Sequence, residues 1–156
     1  MVNSPQHKVK PDVFGFRVNH LNILLLMDDL HSVTYLPKLA VMPGTRQWFL
    51  GCAKYGHQIT PFINFAQYLG LTPTPNEITT HVVMIKAEGT PIGLLVDEIR
   101  ESHVSVDACK IKTEQAPVSD LLKDYIISAC TIKEETYYLV DIARLVKCER
   151  FLNVSL

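Results

Sequence analysis

Residues 48–69 and 125–146 repeat one pattern, and a duplicated unit constrains the fold of this chain more than any other feature of it. Trp48-Phe49-Leu50-Gly51-Cys52-Ala53 sits over Tyr125-Ile126-Ile127-Ser128-Ala129-Cys130. Phe62-Ile63-Asn64-Phe65-Ala66 sits over Leu139-Val140-Asp141-Ile142-Ala143, with no gap between the two blocks. In each copy an aromatic residue leads an apolar stretch, a polar turn follows, and a second apolar stretch ends at Asn or Asp. Solenoids and propellers repeat every ~20–50 residues. One longer echo predicts instead two related half-domains packed against each other.

A chain of 156 residues, 47% of them hydrophobic, is long enough to bury a real core. Fifteen Lys and Arg oppose 16 Asp and Glu, so no broad basic surface is available to displace counterions from nucleic acid, and no nucleic-acid partner is expected. Residues 1–8 have no apolar stretch of the kind a signal peptide needs, and no apolar run approaches the ~20 residues of a membrane span. The cytoplasm is the expected address, without membrane insertion. Cys52, Cys109, Cys130 and Cys148 are scattered and read as reduced structural thiols, because metal and dithiol motifs need close pairs.

The polar, proline-bearing residues 1–12 predict a flexible arm. Val13–Val18 and Ile23–Met27 read as two strands across a tight turn, and Asp28–Val33 reads either as a helical turn or as a further strand. Within the first copy, Leu50–Ala53 and Ile59–Ile63 flank a hairpin turn at Lys54-Tyr55-Gly56-His57. Asn64–Gly70 fits a short helix stopped by Gly70. Thr80–Ile85 and Ile92–Val96 form a second hairpin, His103–Val106 alternates as a half-buried strand does, and Ser119 is placed to cap a short helix. The second copy repeats the hairpin over Ile126–Ile132 and Tyr137–Val140. Asp141 then caps a closing amphipathic helix. Many short strands in two similar halves point to paired small β-barrels instead of a parallel α/β sheet.

No strong catalytic signature is present: there is no Gly-rich phosphate loop, no Gly-x-Ser-x-Gly elbow and no His-Glu-x-x-His helix. The six histidines share no ligand spacing, so neither a metal nor another cofactor is expected. Asp28-Asp29 reads as a turn cap, and Asp97 as a carboxylate held by a neighbouring turn. Trp48 fits a core position and a binding anchor equally well.

The repeat, together with Ile92-Gly93-Leu94-Leu95-Val96-Asp97 and Tyr138-Leu139-Val140-Asp141, resembles the CheW-like domain of bacterial chemosensory coupling proteins over about residues 13–148. The resemblance implies a mainly β fold of two five-stranded, SH3-like β-barrel subdomains around a shared core, with a short C-terminal helix. It implies one domain over 13–148 followed by a C-terminal tail, 149–156. Pro43-Gly44-Thr45-Arg46-Gln47-Trp48-Phe49-Leu50-Gly51 looks specifically like the PilI-type branch, which serves type IV pilus twitching motility.

By that resemblance the chain is not an enzyme but an adaptor between a methyl-accepting chemoreceptor and a CheA-type histidine kinase. The receptor groove of the family maps to Met27, Leu30, Ser32, Gly56, Ile59 and Ile92. This chain departs from the family at two of these. Gly56 stands where members carry the arginine of an Asn-Leu-Arg-Gly or Asn-Val-Arg-Gly turn, and Ser32 stands where a Glu is common. Lys54 and His57 are the residues placed to restore positive charge. Three other readings compete with ordinary coupling: a repurposed CheW-like domain, a small-molecule regulatory domain with a ligand between the barrels, and a thiol enzyme pairing Cys52 with His57.

Overall fold

The computed structural model describes residues 12–72, 80–86, 91–105, 110–112 and 120–155, with side chains undescribed over 101–105 and 110–112. Within these, the chain runs β1 (Asp12–Val18), β2 (Leu21–Leu26), a 3-10 turn (Met27–Asp29), β3 (Leu30–Tyr35), β4 (Phe49–Tyr55), β5 (Gln58–Asn64) and α1 (Phe65–Tyr68). It continues with β6 (His81–Ile85), β7 (Ile92–Val96), β8 (Glu98–Ser105), β9 (Lys110–Lys112), α2 (Asp120–Lys123), β10 (Ile126–Ile132), β11 (Glu135–Val140), α3 (Ile142–Leu145) and α4 (Glu149–Leu152). The flexible arm, the Ser119 cap, Val106 and Cys109 fall outside the described residues, apart from Asp12 at the arm's end.

The sequence echo is a structural one. β4 and β5 form an antiparallel hairpin with a register shift between Phe49 and Gly51; β10 and β11 form the same hairpin with the shift between Ile126 and Ser128. Each hairpin delivers its last strand into a single helical turn capped by a side chain: Asn64 Oδ1 accepts from Gln67 N at 3.1 Å, and Asp141 Oδ1 from Arg144 N at 3.2 Å. The helical turn at 65–68 ends as expected, with Gly70 at φ +74° and Leu71 N donating to Ala66 O.

The two copies do not fold into separate halves. One sheet has the order β8-β1-β2-β11-β10-β9, the other β3-β6-β7-β5-β4. β2 therefore lies parallel to β11, and β7 parallel to β5. The β1–β2 hairpin from the first half of the chain completes the sheet that holds the second copy, and β6–β7 from the second half completes the sheet that holds the first. Parallel neighbours need a long crossover, and here the crossovers are the body of the protein.

Period-two alternation then feeds three cores from the same strands. Phe14, Phe16, Ile23, Leu25, Ile63, Val83, Ile85, Leu94, Val96 and Val140 face a large shared core between the sheets. Their neighbours turn the other way: Val13, Leu24, Cys130, Tyr137 and Leu139 fill the inside of one sheet, and Phe62, Val82, Met84 and Leu95 fill the inside of the other. This is the mainly β architecture of two lobes around a shared core. The lobes are curled sheets of six and five strands.

The closing amphipathic segment is broken into α3 and α4 because Cys148 adopts an extended backbone, ψ 153°, between them. Residues 149–155, expected as a tail beyond the domain, are built into it. Phe151 is buried and stacks on Trp48 at 6.1 Å, Arg46 N donates to Val154 O at 2.7 Å, and Thr45 bridges Ser155. Trp48 is a core residue, packed edge-on against Tyr68 at 5.0 Å.

Candidate partner surface and an adjoining cleft

The residues mapped as partner-binding all lie on the five-stranded sheet and the turn that leads into it. Met27 sits in the 3-10 turn with Asp28 and Asp29, and both Met27 and Leu30 are half-buried against the shared core. Leu30 pairs with Ile85, which pairs with Ile92, so Leu30 and Ile92 belong to one row across three strands. Ile92 is only 9% exposed, and it supports the surface more than it forms it. Lys54, Gly56, His57 and Ile59 occupy the exposed tip of the β4–β5 hairpin, where Ile59 is 67% exposed.

Ser32 reaches that tip from the far side of the lobe. β3 and β4 are opposite edges of the sheet, yet the sheet curls enough for the Ser32 hydroxyl to hydrogen-bond the Tyr55 hydroxyl. His31 joins them, with Nδ1 3.4 Å from the Tyr55 hydroxyl and its ring edge-on to Tyr55 at 5.5 Å. Ser32 and Gly56, the two positions read from the sequence as departures, are thus linked through Tyr55, the residue that precedes Gly56. A contact among Ser32, Tyr55 and His31 closes the lobe there.

The other sequence readings find definite places. Asp97 accepts from Asn19 N and lies 3.8 Å from Arg17, as a carboxylate held by a turn should. Cys52 lies three strand residues back from the hairpin tip, ~10 Å at the rise of a strand, and its Sγ contacts the Met42 thioether at 3.9 Å. It does not meet His57. Among the described residues, no group of three His, Cys, Asp or Glu side chains is arranged to hold a metal, and no helix is long and apolar enough to cross a membrane.

One site is not legible in the sequence at all. Where α2, α4 and the approach to β4 converge, a cleft of about 550 Å³ is lined by Arg46, Trp48, Tyr68, Tyr125, Cys148 and Arg150 together with the carboxylates of Asp120, Asp124 and Glu149. Tyr68 Oη is 3.5 Å from Cys148 Sγ, and Tyr125 also hydrogen-bonds the thiol. Burial pushes the Cys148 thiol up, but hydrogen bonds from Tyr68, the backbone at Phe151, Tyr125 and the backbone at Arg150 together hold it below the usual thiol value. The Tyr68 hydroxyl is pushed up in turn by burial and by its bond to Cys148.

The fold and its decorations meet known proteins at the level of the whole chain. A search of curated protein sequences returns no match. Among solved structures the chain is similar to the scaffolding protein TtCheW from Thermoanaerobacter tengcongensis, with a TM-score of 0.72 at 13% identity, over 90% of this chain and 95% of that one. The model of the CheW-like domain matches residues 12–150. A match of that extent, on a fold with the two-lobed architecture its sequence echo foretold, establishes that the chain belongs to the CheW-like domain family.

Proposed function

We propose that this chain is a non-catalytic adaptor that couples a methyl-accepting chemoreceptor to a CheA-type histidine kinase, in a chemosensory or type IV pilus twitching system. The observation that carries the proposal is the family match across 12–150, which takes in both lobes and not one borrowed barrel. The exposed hairpin tip supplies the contact: Ile59 offers burial, Lys54 provides the positive charge that Gly56 does not, and His57 adds a polar ring beside it. Rim charges of this kind tune orientation and encounter, and each is worth ~1 kcal/mol.

The test is a pull-down from the native cell followed by binding of purified variants to the recovered partners. A CheA-like kinase is the expected capture, and Lys54→Ala and His57→Ala are each expected to weaken receptor binding about fivefold, the equivalent of ~1 kcal/mol. Unchanged affinity in both variants sinks the assignment of this tip. A capture without a kinase favours a repurposed CheW-like domain, a reading supported by the neutral Ser32–Tyr55 contact at a place where the family carries charge.

A further inference from the structure

Cys148 differs from the other described cysteines in everything around it. Cys130 is buried among strands of the six-stranded sheet, and Cys52 rests on a thioether. Cys148 lies on the wall of an open cleft, held by two phenol hydroxyls that come from distant parts of the chain, Tyr68 on α1 and Tyr125 ahead of β10. As a thiolate, the form of cysteine that attacks, the sulfur accepts from the Tyr68 hydroxyl 3.5 Å away, and such a bond stabilises that form. The rim carries both signs. Arg46 and Arg150 are exposed on it, Arg150 lying over the Tyr68 ring at 5.6 Å, and Asp120, Asp124 and Glu149 complete it. A small ligand with carboxylates and an ammonium group finds counter-charges for each within one cavity of about 550 Å³.

We propose that this cleft binds a low-molecular-weight zwitterionic peptide disulfide and that Cys148 is the nucleophile that reacts with it. In the exchange the Cys148 thiolate attacks one sulfur of the ligand. A new bond forms between the two sulfurs as the ligand's own disulfide breaks, and the second half leaves as a thiolate that takes a proton from water. The protein thiol is oxidised to a mixed disulfide, the departing half is reduced to a thiol, and no further oxidant is consumed. Arg46 and Arg150 act as positioning residues for the ligand's carboxylates, Tyr68 and Tyr125 as positioning residues for the sulfur. The site lies on the α2 and α4 side of the molecule and uses none of the residues assigned to partner contact.

The experiment uses the full chain with glutathione disulfide and, as an uncharged comparison, hydroxyethyl disulfide, following mixed-disulfide formation by mass spectrometry with peptide mapping. Glutathionylation is expected at Cys148 ahead of every other cysteine, to vanish in Cys148→Ser, and to persist in Cys52→Ser. Removing one hydroxyl donor in Tyr125→Phe is expected to raise the thiol pKa. The thiolate fraction then falls more than the intrinsic nucleophilicity of the thiolate rises, and the reaction is expected to slow a few-fold at neutral pH. The pH–rate profile then shifts to higher pH, which a merely structural role leaves in place. Arg46→Gln combined with Arg150→Gln is expected to slow glutathione disulfide several-fold and leave hydroxyethyl disulfide unchanged, with circular dichroism confirming that each variant is folded. Reaction spread evenly over the cysteines overturns the proposal, as does equal slowing of both disulfides in the double arginine variant.

Discussion

The two copies of the duplicated unit share a ladder, a shift of register and a capped helical turn, and they differ most where their strands first bend. At the bend of β4 the chain uses Gly51 at φ +133°, with Ala40 crossing directly over it and bonding Cys52 in both directions at 2.8 and 3.1 Å. At the matching bend of β10 it uses Ser128, which needs no positive φ. A Cβ at Gly51 runs into the backbone carbonyl of Ala40, an obstacle that cannot rotate away, whereas β10 is flanked by the regular β9 ladder at Lys110–Lys112. One motif therefore has two solutions, set by how closely the neighbouring segment approaches. Exchanging the residues tests this directly. Gly51→Ser is expected to cost about 3 kcal/mol or more, from strain at a backbone angle reserved for glycine plus the clash, and Ser128→Gly about 0.5–1 kcal/mol from chain entropy alone. Urea titration of both variants measures the difference, and equal losses break the asymmetry.

The echo shows how far sequence reasoning reaches in this protein. Hairpins, the Asp141 cap and the stop at Gly70 depend on residues a few positions apart, and each lies where the local pattern puts it, whereas Asp28 and Asp29, read as a turn cap, lie inside the 3-10 turn with no side-chain cap bond. The exchange of β1–β2 and β6–β7 between sheets is different, because Leu24 meets Leu139, and Ile63 meets Leu94, only through pairings no local pattern encodes. The same distance hides the cleft. Cys148 has the look of a small core residue until Tyr68, 80 positions away, is folded against it. The sequence around Trp48 fits core and anchor equally for a like reason, since Phe151, which covers it, lies in what reads as a tail. On the candidate surface Ser32 and Gly56 can be picked out in the sequence, but the contact joining β3 to Tyr55 needs the curl of the sheet.

A second contrast lies at the hairpin tips, both of which are two-residue loops. Gly56 takes the positive φ of the first tip, at +63°, without steric cost. The second tip places Lys133 at φ +49° and Glu134 at φ +69°, side chains in a region that costs ~1–2 kcal/mol per residue. Two positive angles in a two-residue loop call for Asn-Gly. The double variant Lys133→Asn, Glu134→Gly is expected to stabilise the protein by ~1 kcal/mol net, once the greater freedom of glycine in the unfolded chain is counted, and to raise Tm by about 2–4 °C. Gly56→Lys at the first tip is expected to cost a similar amount. A double variant that leaves Tm unmoved shows that the second tip is relieved by contacts the first lacks.

The smallest difference is in the caps. Asn64 and Asp141 make the same hydrogen bond, and the two residue types cap a helix about equally well, but only Asp141 carries charge, and it carries it next to Asp29. Burial, then Asp141, then Asp28 push the Asp29 carboxyl above its usual value, with Lys86 opposing them. A carboxyl raised in the folded state holds its proton more tightly there than in the unfolded chain. Its contribution is therefore favourable below the unfolded value of ~3.9 and is lost as pH rises through the folded one. Asp141→Asn keeps the cap, removes the second of the three causes and makes the pair of caps alike. Carbon-detected NMR titration of Asp29 is expected to show its midpoint moving down towards the unfolded value. Stability is expected to rise by no more than ~0.5 kcal/mol at neutral pH, since both groups are partly solvated, and to be unchanged at pH values low enough to protonate Asp29 in both proteins. A gain that persists at low pH would place the effect in the cap itself and not in the charge beside it.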